Sequence, residues 1–319
     1  MIQSHSINQV FILLFFGVFF ATSCEEPVDL DIATQEPQIV VNSTFLPGQP
    51  FQVSVSKSKN ILAPEADEYI NDAIVRIFSN GEALEELQLK HFRHPLYQSR
   101  ITTPESGKVY RLEVSVPGKE LVVAEDIVPF PVTLDDISLD TIEIIGEADE
   151  RVYKVEITVN FEDPIGAQDY YHLSLFNQLG TEDRENESMN GFDGEEEVGT
   201  TLMPLSPLES DNANPAVTFH YEEGGVLFND ETFDGQKTTL KFYSLLNLQE
   251  AGKYGEVVGF LRTVSRPYYL YHSTLSLQIA NKDRPFVEPI SVYSNIENGL
   301  GIFSGYAIFR DSVSISSSF

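Results

Sequence analysis

The stretch Tyr153-Lys-Val-Glu-Ile-Thr-Val-Asn-Phe161 alternates apolar and polar residues without a break. Successive strand side chains point to opposite faces, so a two-residue period fits a half-buried strand and no helix. The period recurs in Phe51-Gln-Val-Ser-Val-Ser-Lys57. It recurs again where Tyr110, Leu112, Val114 and Val116 point one way and Arg111, Glu113 and Ser115 the other. A strand at 73–78 runs into Asn80-Gly81, which predicts a type I′ hairpin turn. Pro117-Gly118 turns the chain back into 121–124. Further strands are predicted around Tyr171 to Leu175, at 217–221, 238–244 and 257–264, and as closing strands at 289–293 and 301–315.

Short strands with frequent turn signals predict a mainly β chain built of two β-sandwich-like domains. The first, 38–127, is immunoglobulin- or prealbumin-like in architecture only, because the chain has one cysteine and no tryptophan. Val128-Pro-Phe-Pro-Val132 is the expected linker, held extended by its prolines. The second, 133–319, is a larger antiparallel β domain. It contains the one convincing helix, at about 266–281, with Ser265 as N-cap and Pro267 in the first turn. Tyr268, Tyr271, Leu275 and Ile279 share a face that should pack on the sheet. A polar insertion at about 180–214, acidic from Glu182 to Glu197, interrupts this domain.

Residues 1–23 read differently. Val10 to Ala21 is a nearly unbroken apolar run of about a dozen residues, suited to a signal peptide and short of the roughly 20 a spanning helix needs. Ala21, Thr22 and Ser23 then lead into Cys24, the single cysteine of the chain, so an internal disulfide is excluded. Bacterial lipoprotein signals end in this way, and Cys24 is the expected acylation site. The alternative is an ordinary cleaved signal with an incidental cysteine. The first nine residues hold no Lys or Arg, and Ala21 stands where Leu is commoner. Glu25-Glu26 resembles the acidic signal that directs Bacteroidota lipoproteins to the outer cell surface. Residues 24–37 form an acidic, proline-bounded tether. Lipid anchoring in the outer membrane, facing the cell surface, is the expected location.

Formal net charge is −29, all of it beyond residue 23. That excludes nucleic acid, which needs clustered Lys and Arg, and lying flat on anionic lipid. It suits a soluble body on a tether. The 22 Phe and 14 Tyr supply a real core.

Candidate chemistry is sparse. There is no HExxH, CxxC or GxSxG. His91 and His94 stand beside Pro95 without a nearby acidic ligand pattern and read as surface histidines. Gly299-Leu-Gly-Ile-Phe-Ser-Gly305 has the spacing GxGxxxG and precedes a strand pattern, so it reads as a turn and not a dinucleotide loop. Asp230, Glu231 and Asp234 surround a turn and could offer oxygens to Ca²⁺, although the spacing is not that of an EF-hand and solvated acidic loops are the ordinary reading. Otherwise no cofactor is expected. Tyr268, Tyr269 and Tyr271 are candidate ligand-lining residues, with core packing as the ordinary reading.

Several motifs occur in a telling order: Val28-Asp-Leu-Asp-Ile32, Phe161-Glu-Asp-Pro164 followed by Tyr170-Tyr171, and Leu227-Phe-Asn-Asp-Glu-Thr-Phe-Asp-Gly235. The aromatic helix near Tyr269 follows, then Tyr293-Ser-Asn-Ile and Asn298-Gly-Leu-Gly-Ile-Phe303. In this the chain resembles a family of Bacteroidota outer-membrane lipoproteins known only as a domain of unknown function. The resemblance implies an accessory role beside a TonB-dependent receptor and carries no catalytic residues.

Three readings follow. The first is a non-catalytic surface lipoprotein assisting a TonB-dependent transporter. The second is a glycan- or other ligand-binding surface module, which the absence of tryptophan disfavours. The third is a hydrolase, for which plentiful carboxylates are not yet a paired site.

Overall fold

A computed structural model describes residues 36–59, 68–91, 94–145, 152–166, 168–179, 200–207, 217–222, 225–247, 254–282, 284, 287–288 and 290–314. Cys24, Glu25 and Glu26 lie outside these residues, as do most of the insertion and the side chain of His91. Pro37–Phe319 forms one compact unit.

The described strands of the N-terminal half are β1 (Ile39–Phe45), β2 (Gln52–Lys57), β3 (Ile74–Ser79), β4 (Glu82–Glu86), β5 (Gln88–His91), β6 (Pro95–Gln98), β7 (Val109–Ser115) and β8 (Val122–Ile127). Those that follow are β9 (Leu134–Ile145), β10 (Val152–Glu162), β11 (Tyr170–Leu179), β12 (Thr200–Leu202), β13 (Ser206–Pro207), β14 (His220–Glu222), β15 (Gly225–Asn229), β16 (Lys237–Asn247) and β17 (Tyr254–Val264). Helix α1 (Arg266–Asn281) and β18 (Leu300–Ser314) complete them.

They form three sheets. A ten-stranded sheet runs β14-β15-β11-β17-β18-β1-β2-β6-β5, with β12 also on β11. Two four-stranded sheets run β13-β16-β10-β9 and β4-β3-β7-β8. The mainly β, sandwich-like class read from the alternation is what the chain adopts, with one helix among the described residues.

Local chemistry explains the boundaries. Asn80 and Gly81 both take positive φ, 51° and 80°, and join β3 to β4 as a tight turn with Ser79 opposite Glu82. The strictly alternating Val155, Ile157, Val159 and Phe161 are all buried. Ser265 caps α1, its hydroxyl accepting from the Tyr268 N–H at 3.3 Å.

Two large cores organise the sheets, with a smaller cluster under α1. One joins β1, β2, β3, β7 and β8 around Phe45, Phe51, Tyr110 and Phe303. The other joins β9, β10, β11, β15, β16 and β17 around Phe161, Tyr171, Phe228 and Phe242. Core membership changes across the expected linker: Val128 belongs to the first, Val132 to the second. Yet β18 serves both. Residues 300–305 pair with β1, and residues 306–314 pair with β17. Phe303 enters the first core while Phe309 and Val313 pack on the second. The expected C-terminal half therefore lends its last strand to the N-terminal one, and the β1–β18 ladder is parallel, so that region is not wholly antiparallel as expected.

That ladder needs glycine. At Gly301 (φ +107°) a Cβ would sit 2.1 Å from the Val41 carbonyl oxygen, and at Gly305 it would sit 2.3 Å from that of Ile127. The glycine run is therefore the splice between halves, and from Leu300 to Gly305 it is itself the first part of β18 and not the expected turn.

Two further expectations are corrected. Residues 290–296 are not a strand. Their backbone is taken by the helix instead, Tyr293 N–H donating to Thr274 Oγ1 (2.9 Å) and Ile290 O accepting from Gln278 Nε2 (3.1 Å). The helix does not bury the face Tyr268–Tyr271–Leu275–Ile279. It buries Tyr268, Tyr269 and Ser273, while Ile279 is 59% exposed, because the sheet underlies only its first turns.

Gly305→Ala is expected to cost about 1–3 kcal/mol, the usual range for overpacking a closed site. Urea denaturation should show a lower midpoint with an unchanged slope; an unmoved midpoint would contradict the close approach.

Candidate functional site: a closed carboxylate cluster

Asp163 directly follows β10, Asp169 directly precedes β11 and Asp230 directly follows β15. The register Tyr170↔Asn229 brings the three loop ends together, and one carboxylate oxygen from each lies within 4.8 Å of the others. Asp163 and Asp230 are buried and Asp169 is half-buried. Asp163 accepts from the Tyr171 hydroxyl at 2.5 Å and from the Gly235 N–H at 2.8 Å. Asp230 accepts from the Asp169 N–H at 2.9 Å, and its own N–H donates back to the Asp169 carbonyl. Phe233 packs beneath them against Phe161 and Tyr171.

Among the described residues no Lys or Arg pairs with the triad. Burial, then the neighbouring carboxylates Asp163 and Asp230, push the Asp169 carboxyl up to about 6. Burial raises Asp163 and Asp230 as well. Burial and the Asp163 contact raise the Tyr171 hydroxyl, which keeps its proton. Such a cluster relieves its repulsion with a shared proton or a cation. Two oxygens on one Ca²⁺ can stand up to about 5 Å apart, so the spacing is compatible with that ion.

Of the turn residues singled out in the sequence, only Asp230 enters the triad. Glu231 and Asp234 are exposed, and Asp234 instead accepts from the Gly166 N–H at 2.9 Å. Asp163 and Asp169 were not foreseen as partners. Their only signal was Phe161-Glu-Asp-Pro164 lying upstream of Tyr170-Tyr171, and only the β11–β15 register joins it to Asp230.

The tyrosines of α1 make packing contacts. Tyr268 and Tyr269 are buried with Tyr170, Leu227, Val264 and Tyr306. Tyr269 lies on Tyr170 with ring centres 4.8 Å apart, and Tyr271 packs edge-on against His272. His172 Nδ1 stands 3.0 Å from the Tyr268 hydroxyl, and burial, with Arg262 nearby, holds its pKa well below the ordinary value, so it is neutral. His94 Nδ1 meets the Tyr69 hydroxyl at 3.1 Å.

A second buried carboxylate fixes the helix. Asp126, on β8, accepts from the Ser265 hydroxyl and from the Gly305 N–H at 2.8 Å. Burial pushes its pKa up to about 6 despite these bonds.

Both sites carry the same pH consequence. A folded pKa of about 6 against an ordinary value of 3.8 means that the native state holds the proton more tightly. The associated stability is full below about pH 4 and is lost as pH rises through about 6, a difference of at most about 3 kcal/mol for Asp126. Asp126→Asn and Asp169→Asn are each expected to match the wild type at pH 4.5 and to melt several degrees higher at pH 7.5 in EDTA. Melting curves at both pH values check this. If millimolar Ca²⁺ raises the wild-type melting temperature and Asp169→Asn abolishes the rise, the triad is a cation site.

A comparison with curated proteins found no match. The sequence does match a family described as a domain of unknown function (DUF4249), over residues 25–312. The match spans nearly the whole chain, and the protein belongs to that family.

Proposed function

We propose that this protein is a non-catalytic lipoprotein of the cell envelope, anchored in the outer membrane through acylated Cys24 and accessory to a TonB-dependent transporter. The observation that carries the reading is a coincidence of boundaries. The apolar signal ends at Cys24, and the family match begins at residue 25. A chain whose family-defining body starts one residue after its single cysteine fits cleavage and acylation at that cysteine. The Bacteroidota assignment and the transporter partner rest on the resemblance of the motifs.

The geometry supports a non-catalytic role. The triad's two buried members are already bonded to Tyr171, Gly235 and Asp169, which ties three loop ends together. The motif Tyr293-Ser-Asn-Ile is likewise a fastener: the Asn295 side chain donates to the Phe303 carbonyl (2.7 Å) and accepts from its N–H (3.0 Å). Asn298 donates to the Leu121 carbonyl at 3.0 Å. Two or more acyl chains, each CH₂ contributing about 0.8 kcal/mol, hold a body this acidic against its own repulsion from anionic headgroups.

In living cells a clickable palmitate analogue should label the wild type and not Cys24→Ser, and the variant should leave the membrane fraction. Pull-down from mild-detergent membranes should recover an outer-membrane receptor. An unlabelled wild type overturns the anchor; labelling without a receptor overturns the accessory role alone.

A further inference from the structure

We propose that the cleft between the start of β1, the end of β2 and the β7–β8 turn binds a neutral saccharide. The cleft has a volume of about 390 Å³, which is within the range of small-ligand sites. Its floor is apolar, with Ile39 and Ile70 buried and Pro117 beside them. Its rim carries Tyr69 and four charged side chains: Lys57, Lys119, Glu68 and Asp72.

The site is preformed. The Ile70 N–H donates to the Val55 carbonyl at 2.9 Å, and the Ile70 carbonyl accepts from the buried Tyr97 hydroxyl. The same hydroxyl accepts from the Ala73 N–H at 3.0 Å, so the loop carrying Glu68 to Asp72 is held at both ends. Tyr69 is fixed by its bond to His94 and by a bridge to Ser56. Little ordering remains for a ligand to impose.

The charge pattern selects the ligand class. Among the described lining residues two ammonium and two carboxylate groups cancel, and Lys57 and Glu68 pair with each other. This local neutrality stands out on a chain of net charge −29. It offers a polyanion no excess attraction, and the surrounding field repels one. It gives a cation no net trap. It does present donors and acceptors side by side over an apolar floor beside an aromatic ring. Sugar hydroxyls are both donors and acceptors, and sugar C–H faces pack on aromatic rings. A neutral mono- or disaccharide unit matches all three features.

This goes beyond the tethered-lipoprotein reading and does not depend on the anchor. Saturation-transfer NMR on the full chain in mild detergent tests it with maltose, cellobiose, lactose and N,N′-diacetylchitobiose, and with glucose 6-phosphate as the charged comparison. At least one neutral disaccharide should bind, and Cys24→Ser should bind it equally. Tyr69→Ala should weaken it about tenfold, with Tyr69→Phe near wild type. Asp72→Asn, an exposed change that leaves the fold intact, should weaken it severalfold. No binding by any neutral sugar, tighter binding of glucose 6-phosphate, or wild-type binding by both Tyr69→Ala and Asp72→Asn would overturn the proposal. Unchanged circular dichroism of each variant separates loss of the site from loss of the fold.

Discussion

The parallel ladder between β1 and β18 is the constraint on which the rest of the molecule depends. It joins Val40 to Leu300 and Phe45 to Gly305, residues at opposite ends of the described body. Until it forms, the first core lacks Phe303, which lies 4.5 Å from Phe45, and the ten-stranded sheet is two shorter ones. Closing so long a loop costs conformational entropy before any contact repays it. The glycines lower the barrier to close approach, because Gly301 and Gly305 put no side chain where backbone oxygens must stand. Asp126 then locks the junction, holding the Gly305 N–H and the N-cap of α1 with one carboxylate. An ionised carboxylate sealed from water is costly, so the lock is strongest when protonated.

What the sequence made legible is local. A two-residue period needs no partner to be recognised, so β2, β3, β7, β10, β16 and β17 were all readable. Asn80-Gly81 and Ser265 declare a turn and a cap through their own side chains and φ preferences. What stayed hidden is set by pairing across long separations. Nothing in Ile39 to Phe45 says that its neighbour is β18. The alternation near Pro289 looked like a strand, yet the helix side chains of Thr274 and Gln278 claimed its backbone first. The helical face was misjudged for a related reason. A 3.6-residue period marks which residues align, but not how far along the helix the sheet extends.

The candidate site shows the same division. Asp230 was noticed because it sits in an acidic turn. Asp163 and Asp169 were passed over because five residues separate them from each other and sixty separate Asp169 from Asp230. Some of the motifs that suggested the family meet at this cluster: Phe161-Glu-Asp-Pro164, Tyr170-Tyr171 and the segment from Leu227 to Gly235 all contribute to it. They hold loop ends to one another through buried hydrogen bonds and stacked rings. Their order along the chain thus records how the fold is closed.

Residues committed to internal bonds at 2.5–2.9 Å have little capacity left for a ligand unless a proton or ion relieves their mutual repulsion. Recognition is better sought where polar groups are rigidly placed but still meet solvent. The cleft beside Tyr69 meets that condition: its backbone is fixed by Tyr97, while its charged rim remains open to water. Charged groups of both signs, set side by side over an apolar floor, would suit an uncharged, hydroxyl-rich molecule.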